Sequence, residues 1–330
     1  MARWTSADIP SQQGRTAVVT GPGGLGFETA LALARAGAEV IVAGRSPTKG
    51  DEAANAIRAA VPSAKIRFER LDLADLTSVA DFADRLREQR TRLDILVNNA
   101  GVMRPPQWKA TTDGFELQLG INYLGHFALT GRLMPLLVKG KGARVVTLSS
   151  IAARQGAIHL DDINAHGWYD PMPVYCQSKL ACLMFAFELE RLSVAHGWGL
   201  SSIAAHPGVS RTNLLHNAPG KHSAISVARS MLWFLFQPAA QGALPSLFAA
   251  TAPQARGGGY YGPASLGETR GHPLPAKIPQ QALDQAVAKR LWDMSQELTG
   301  NPFAAVVPLA RRNHDDRFHD GPAHAGREDL

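Results

Sequence analysis

Cysteine is scarce in this chain, which has two among its 330 residues. Cys176 and Cys182 lie six positions apart on one predicted helix, a poor spacing for a disulfide within a helix. Two free thiols indicate a reducing compartment, so we predict a cytoplasmic protein. No metal site is predicted either, because His314, His319 and His324 lack regular ligand spacing.

Long apolar runs are also lacking. The most apolar window, residues 231–236, is followed by Pro238, Gln241 and Pro245 and falls well short of the roughly 20 apolar residues that a spanning helix needs. The window is a core helix, a substrate lid or a membrane-contacting flap. The first ten residues hold no apolar run, so no signal peptide is expected. We therefore predict no stable membrane insertion.

Clustered charge is the third absence. Charged residues make up 19% of the chain and the net charge is +6, but the basic residues are scattered and not interleaved with aromatic ones. This pattern argues against a nucleic-acid partner and fits solubility with a mild attraction for an anionic cofactor. Residues 301–330 are polar and rich in breakers, which predicts an extended or disordered tail.

The chain does contain a regular alternation of apolar strands and periodic helices. Helices are predicted from Phe27 to Gly37, near 50–60 and 75–90, over 113–138 and around Tyr175, and strands over 16–20, 39–43, 66–72, 93–97, 143–150 and 200–205. Strands that alternate with helices imply parallel βαβ units. We predict an α/β fold with a Rossmann-type doubly wound parallel sheet. A single domain would span residues 1–300, with the cofactor part at about 14–150, the catalytic part at about 150–300, and a substrate-lid segment.

A glycine turn, Thr20-Gly-Pro-Gly-Gly-Leu-Gly26, joins the first strand to the first helix. Glycines permit a tight bend and let the backbone approach a pyrophosphate, while the helix N-terminus offers free N–H groups to the phosphates. The alternative is an ordinary strand–helix turn. In its context of strand, turn, helix and strand, the motif predicts a dinucleotide site.

Tyr175 and Lys179 are spaced i and i+4, so a helix places both on one face. A free tyrosine ionises only near pH ~10, but a neighbouring ammonium favours the phenolate form. The pair is therefore a candidate for proton transfer, the alternative being two unrelated surface residues.

Together these landmarks resemble the short-chain dehydrogenase/reductase family over roughly residues 14–300. The further marks are Asp72, the quartet Asn98-Asn-Ala-Gly101, Asn122, the serines that end the fifth strand, and Pro207-Gly-Val209. Within the family, Asp161-Asp-Ile-Asn164, Gln177-Ser-Lys-Leu180 and His206-Pro-Gly208 resemble the retinol-dehydrogenase-like branch.

The resemblance implies catalytic roles for four residues. Ser150 would hydrogen-bond the substrate oxygen, and Tyr175 would exchange a proton with it. Lys179 would hold the nicotinamide ribose, and Asn122 would anchor a water that relays protons to Lys179. Taken singly, Ser150 could merely cap a turn and Asn122 could be a polar residue inside a helix. Their joint occurrence favours catalysis, because hydride transfer builds charge on oxygen that a positioned acid must neutralise.

The resemblance also implies the cofactor contacts. They are Gly21, Gly24, Leu25, Gly26, Arg45, Asp72, Leu73, Asn99, Ala100, Gly101, Tyr175, Lys179, Pro207, Gly208, Val209 and Thr212. Asp72 would touch the adenine edge, or else it caps the next helix. An acidic residue ending the second strand would select NAD, whereas this chain has Arg45, which can fork onto a 2′-phosphate. We predict that NADP(H) is preferred and NAD(H) is possible; in the alternative, Arg45 is simply solvated.

Two features depart from the family pattern. The glycine turn is one residue short between Gly21 and Gly24, and Pro22 has no N–H to offer. The segment between Ser150 and Tyr175 is longer than in many members. Its Trp168, Tyr169 and Pro173 suggest an apolar wall at the substrate mouth, or otherwise a surface excursion.

These patterns predict an NAD(P)(H)-dependent oxidoreductase that interconverts a hydrophobic alcohol and its aldehyde or ketone. Trp233, Phe234 and Phe236 would favour a bulky substrate, or are plain core aromatics. The alternatives are a reductase of carbon–carbon double bonds, as in protochlorophyllide reductases, and a non-catalytic dinucleotide-binding scaffold or sensor. A homodimer or homotetramer is possible, because the family assembles through its long helices.

Overall fold

The computed structural model describes residues 3–210, 237–301 and 303. Thr212, the window 231–236 and nearly all of the predicted tail lie outside these residues, so expectations about them remain predictions.

A central sheet organises the chain, with eight strands among the described residues in the order β3-β2-β1-β4-β5-β6-β7-β8. Neighbouring strands from β3 to β7 pair in parallel, and β8 pairs antiparallel with β7. The strands are β1 Thr16–Thr20, β2 Glu39–Gly44, β3 Ile66–Arg70, β4 Ile95–Asn98, β5 Arg144–Leu148, β6 Ser201–Ala205, β7 Tyr260–Ser265 and β8 Arg270–Pro275. The strand order reverses between β1 and β4, which creates the crevice of a doubly wound sheet.

Helices cover both faces of the sheet. They are α1 Leu25–Arg35, α2 Pro47–Ala60, α3 Leu76–Gln89, α4 Leu117–Leu119, α5 Gly125–Leu137, α6 Pro171–His196, α7 Ala239–Gly242, α8 Leu244–Thr251 and α9 Gln285–Thr299. Ala17 and Val19 of β1 point into one apolar core, whereas Val18 points into the other. Both faces of the strand are thus buried, which is why it reads as a continuous apolar run.

The predicted α/β fold with one doubly wound domain is confirmed. The six strands expected up to residue 205 are present, although the third ends at Arg70 and leaves Asp72 in the loop that follows. The helix expected over 113–138 begins at Leu117 and contains a π-helical turn, Gly120–Leu124. The sequence reading did not predict β7, β8 or α9. The division into cofactor and catalytic parts remains a prediction.

Candidate active site

Six of the predicted site residues follow the carboxyl ends of six neighbouring strands. Gly21, Arg45 and Asn99 directly follow β1, β2 and β4, while Asp72, Ser150 and Pro207 come two residues after β3, β5 and β6. Parallel strands direct these ends to one edge of the sheet, so residues far apart in sequence share one crevice.

The glycine turn is compact because its backbone segments touch. Gly21 has φ +89° and Gly24 has φ +54°, conformations that side chains disfavour. A Cβ on Gly26 would lie 1.9 Å from the Gly21 main-chain oxygen, so only glycine fits. α1 begins at Leu25, and its N-terminus faces the crevice edge after this bend. The shortened turn seats Pro22 against β2, since a Cβ on Gly44 would come within 2.8 Å of Pro22 Cδ.

Thr20 joins the glycine turn to the Asn98–Gly101 quartet. The main-chain N–H groups of Asn99 and Ala100 both donate to Thr20 Oγ1 at 2.9 Å. Asn99 Nδ2 donates to the Thr20 main-chain oxygen at 2.7 Å. These bonds fix the ends of β1 and β4 side by side at the point where the strand order reverses.

Arg45 and Asp72 flank the far end of the crevice. Arg45 is exposed and directly precedes Ser46, whose side chain caps α2. Asp72 Oδ1 accepts the Ala74 N–H at 3.0 Å, and Leu73 is buried. The alternative interpretation of Asp72 as the cap of the next helix is wrong, because Asp75 occupies that position and its side chain accepts two N–H groups of α3.

Tyr175 and Lys179 lie together on α6, as the i, i+4 spacing predicts. Both are buried, at 6% and 5% exposure, and the Lys179 ammonium lies 6.0 Å from the Tyr175 ring centre. Lys179 Nζ donates to the Leu148 main-chain oxygen at 3.1 Å, its one hydrogen bond to the described residues. The Tyr175 hydroxyl has no hydrogen-bond partner within that part of the chain. An ammonium has three donors, so two remain for a ligand.

The two serines after β5 have different surroundings. Ser149 is buried, and its hydroxyl donates to the Lys179 main-chain oxygen at 2.8 Å. Ser150 is half-buried, and its Oγ accepts the Ala152 N–H at 3.2 Å, which leaves its own proton to donate. Tyr260 donates weakly to the Ser150 main-chain oxygen, at 3.4 Å. Ser149 is thus occupied within the fold, whereas Ser150 can reach a ligand.

Asn122 lies in the π-helical turn, and its side-chain amide is fully used. Its Oδ1 accepts the Val102 N–H at 2.8 Å, while Nδ2 donates to the Val102 main-chain oxygen and to Ser178 Oγ, both at 3.0 Å. The residue therefore ties the loop after β4 to α6. A Cβ on Gly101 would lie 3.0 Å from Asn122 Oδ1 and 3.6 Å from Lys179 Nζ, so these three residues converge.

His126 is a further member of this cluster that the sequence reading missed. Its Nδ1 lies 3.0 Å from the Asn122 main-chain oxygen and its Nε2 lies 2.9 Å from Thr20 Oγ1. Thr20 Oγ1 accepts two N–H groups, and its own proton has two possible acceptors, Nε2 at 2.9 Å and the Val97 main-chain oxygen at 3.3 Å. Donation to the nearer Nε2 makes His126 a neutral donor at Nδ1. Burial, with the nearby Lys179, lowers the pKa of His126 to about 4 despite its bond to Asn122. The i, i+4 spacing of Asn122 and His126 could have indicated this contact.

The segment between Ser150 and α6 is held against the loop that follows β4. Tyr169 OH donates to the Pro105 main-chain oxygen at 2.7 Å, and Trp108 Nε1 donates to that of Asn164 at 2.9 Å. Trp168 is half-buried and its ring lies 4.4 Å from that of His159, whereas Pro173 is exposed. The segment packs on the rest of the molecule and borders the crevice.

The loop Pro207-Gly-Val209 follows β6 and contacts the β7–β8 hairpin. The Val209 N–H donates to the Thr269 main-chain oxygen at 2.8 Å, and a Cβ on Gly208 would lie 2.4 Å from the same oxygen. His206 is buried beneath this loop, and desolvation lowers its pKa. Glycine is therefore required at position 208, because any side chain there would clash with the Thr269 main-chain oxygen.

The geometry fits a dinucleotide. A glycine cradle that a Cβ would fill lies at one end of the crevice, and a buried ammonium with unused donors lies at the other. Between them the loops after β4 and β6 present small residues. The described residues contain neither a cluster of three metal-ligating side chains nor a helix long and apolar enough to cross a membrane. Cys176 and Cys182 are both buried and unbridged.

Comparison with known proteins gives consistent results. The sequence profile described as short chain dehydrogenase matches residues 15–222. Retinol dehydrogenase 13 of Mus musculus is 41% identical over 314 residues, covering 92% of this chain and 88% of that protein. Polyprenol dehydrogenase of Mus musculus is 40% identical over 299 residues, covering 88% of this chain and 86% of that protein. An uncharacterized protein from Mycobacterium paratuberculosis, known from its crystal structure, superposes with a TM-score of 0.75 at 39% identity, covering 92% of this chain and 99% of that one.

Proposed function

This chain belongs to the short-chain dehydrogenase/reductase family, in its retinol-dehydrogenase-like branch, and we propose that Tyr175 and Lys179 carry its acid–base chemistry. The protein is an NAD(P)(H)-dependent oxidoreductase that interconverts an alcohol and its carbonyl compound. The assignment of these residues rests on the buried Tyr175–Lys179 pair, in which, among the described residues, the phenol has no hydrogen-bond partner and the ammonium has one. The relatives do not favour a carbon–carbon double-bond reductase or a non-catalytic scaffold.

The mechanism places each side chain at one step. A bound nicotinamide supplies or accepts the hydride. During reduction Tyr175 would donate its phenolic proton to the substrate oxygen, and during oxidation it would remove that proton. Ser150 would donate a second hydrogen bond to the same oxygen, where negative charge develops. Lys179 would favour the Tyr175 phenolate and hold the nicotinamide ribose with its remaining N–H groups.

Asn122 would serve mainly to position these groups. Its amide ties the loop after β4 to α6, and its main-chain oxygen accepts from His126 Nδ1 at 3.0 Å and Cys182 Sγ at 3.1 Å. A carbonyl oxygen has two lone pairs, so both are in use. The predicted relay water on Asn122 would have to replace one donor, and the thiol is the weaker of the two.

We propose that the substrate is bulky and apolar. The relatives are named for retinol and polyprenol, which are long apolar alcohols. Trp168 and Tyr169 in the segment before α6 support an apolar mouth. The free, buried thiols support our proposal of a cytoplasmic location, and the possible homodimer or homotetramer remains a prediction.

A substrate panel tests this function. Retinal, retinol, a polyprenol and small polar ketones would each be incubated with NADPH or NADP, following absorbance at 340 nm. The long apolar compounds should turn over and the polar ketones much more slowly. Tight NADPH binding without turnover of any apolar compound would instead support a binding scaffold.

The preference for NADP(H) rests on Arg45. It is exposed, lies directly after β2, and is free to fork onto a 2′-phosphate. Arg45→Gln should reduce the ratio of kcat/KM for NADPH over NADH by about tenfold or more, since a hydrogen bond to a charged group contributes about 1.5–3 kcal/mol. Arg35→Gln is the control, because Arg35 is also exposed but lies at the C-terminal end of α1, away from the glycine turn. An unchanged ratio in Arg45→Gln would mean that the arginine is only solvated.

A further inference from the structure

The turn that joins β7 to β8 has a strained backbone. Leu266, Gly267 and Glu268 have φ values of +51°, +65° and +69°, and two of these three carry side chains. Such conformations are unfavourable outside glycine and persist where surrounding contacts hold them. The Leu266 side chain is 69% exposed, so side-chain contacts in this turn come from Thr269, whose hydroxyl donates to the Leu266 main-chain oxygen at 2.8 Å, and from Glu268.

The Glu268 carboxylate receives three donors from separate parts of the chain. Its Oε2 accepts from His206 Nε2 at 2.9 Å and from Arg154 Nη2 at 2.6 Å. Its Oε1 accepts the Lys277 N–H at 2.9 Å. The carboxylate is largely sheltered from solvent, with 19% of its side chain exposed, so these bonds are stronger than those of a surface pair.

On one side, Glu268 is bonded to the segment that carries Ser150. Arg154 lies in the short helix Ile151–Gln155, and Ser150 is the residue that caps this helix. Gln281 Nε2 also donates to the main-chain oxygens of Arg154 and Gly156, both at 3.0 Å. Movement of Arg154 would therefore change the position of Ser150 at the helix start.

On the other side, Glu268 is bonded to the loop after β6. His206 Nδ1 accepts the Gly208 N–H at 3.2 Å, so its proton sits on Nε2 and is donated to Glu268. The ring is fully buried, and a Cβ on Gly262 would lie 2.0 Å from Nε2. The hydrogen bonds at Nδ1 and Nε2 therefore fix the orientation of the imidazole, and the bond at Nδ1 also holds Gly208 in place.

We propose that Glu268 is a positioning residue of the active site, which sets the Ser150 segment and the Pro207-Gly-Val209 loop at a fixed separation. This inference rests on the proposed function, in which Ser150 contacts the substrate oxygen, and it assigns the predicted cofactor contacts Pro207, Gly208 and Val209 to the nicotinamide end because β6 lies next to β5. Glu268 would act through these two segments and not by contact with a ligand. Its Oε2 atom accepts from both Arg154 and His206, and so joins the segment after β5 to the segment after β6.

Glu268→Gln tests the proposal, because it keeps the size of the side chain and removes its charge. Misplacement of reacting groups costs up to about 100-fold in rate, so kcat for the best apolar substrate should fall roughly 10- to 100-fold, with a smaller change in KM. NADPH should bind about tenfold more weakly, as expected for a disturbed hydrogen-bond network. ADP-ribose, which lacks the nicotinamide, should bind as it does to the unaltered protein.

Arg154→Gln and the double variant with Glu268→Gln complete the test. The two substitutions break one contact, so their combined effect on kcat should be smaller than the product of the single effects. Glu188→Gln is the matched control, because Glu188 is a sheltered carboxylate paired with Arg191 further along α6. It should leave kcat and both affinities unchanged.

Two results would overturn the proposal. The first is an unchanged kcat and NADPH affinity in Glu268→Gln. The second is an equal loss of NADPH and ADP-ribose affinity together with a lower melting temperature, which would show only a general role in folding. If the unaltered protein turned over no alcohol or carbonyl, the proposed function would fail, while the contrast between NADPH and ADP-ribose binding would still decide the role of Glu268.

Discussion

At the scale of single residues, the site depends on buried polar groups whose partners determine their protonation. His126 shows this most clearly, because one ring nitrogen accepts from Thr20 and the other donates to the main-chain oxygen of Asn122. The bond that Nε2 accepts requires a neutral imidazole, whereas Nδ1 donates in either protonation state. The histidine thereby connects the glycine turn to the π-helical turn that holds Asn122.

The lowered pKa of His126 makes stability depend on pH. The pKa is about 4 in the folded protein against 6.5 ordinarily, so between these values the unfolded chain binds a proton that the folded protein does not. The contribution of His126 is present in full above pH 6.5 and is lost progressively as the pH falls to about 4. The total loss is about 3 kcal/mol in the free energy of unfolding.

Urea unfolding at several pH values, in the unaltered protein and in His126→Gln, measures this effect. The difference between the two should shrink by about that amount from pH 7 to pH 4. Contributions from other groups, including the buried His206, cancel in the comparison. Parallel curves over this range would mean that His126 is not held neutral by its partners.

At the scale of elements, the beginning of α1 is where the backbone is most tightly constrained. Gly26→Ala would place a methyl group 1.9 Å from the Gly21 main-chain oxygen and 2.7 Å from Asn99 Nδ2. The turn must open, and the Asn99–Thr20 hydrogen bond would be disturbed. We expect a loss of about 1–3 kcal/mol in the free energy of unfolding, as for other overpacked sites.

The same turn supplies the control. Gly23 has negative φ, and a Cβ there would meet nothing within 4 Å, so Gly23→Ala should change stability by no more than about 0.5 kcal/mol. Chemical denaturation of both variants distinguishes them. Equal stability of Gly26→Ala and Gly23→Ala would contradict the tight packing described here.

The elements differ in how far the sequence could predict them. β1 and β2 are buried on both faces, so their apolar runs were unmistakable. β7 and β8 contain Gly262, Pro263, Pro273 and Pro275, which are residues typical of loops, so the sequence did not indicate strands there. Proline is tolerated in β8 because β8 is an edge strand. The π-helical turn at Asn122 leaves no periodic signal. The hydrogen bond from His206 to Glu268 joins residues 62 positions apart, and Arg154 is farther still from Glu268 in sequence, so local patterns do not reveal these contacts.

At the scale of the whole molecule, α9 joins the end of the described chain to α6, the helix that carries Tyr175 and Lys179. The ring of Trp292 lies 5.0 Å from that of Phe127 in α5, 5.8 Å from Phe185 in α6 and 4.6 Å from Phe303. This aromatic cluster covers part of the outer face of the two long helices. Any homodimer or homotetramer formed through those helices would have to use the rest of that face.

Trp292→Ala tests the importance of this packing. Trp292 is 5% exposed, and removing such a side chain leaves a cavity that costs about 3–5 kcal/mol in the free energy of unfolding. Leu283→Ala, at a position that is 51% exposed, should change it by no more than about 0.5 kcal/mol. A Trp292→Ala protein as stable as the unaltered one would show that α9 is not an integral part of the domain.

We propose that the chemistry of the whole molecule depends on the Tyr175 phenol. Tyr175→Phe removes the hydroxyl and leaves the ring, Lys179 and the crevice in place. Single-turnover oxidation of NADPH with the best carbonyl substrate, alongside NADPH binding by tryptophan fluorescence, tests this directly. We predict a fall in the rate of hydride transfer of at least about 100-fold, the lower range for general acid catalysis, with NADPH affinity retained. Hydride transfer at the rate of the unaltered protein would contradict it.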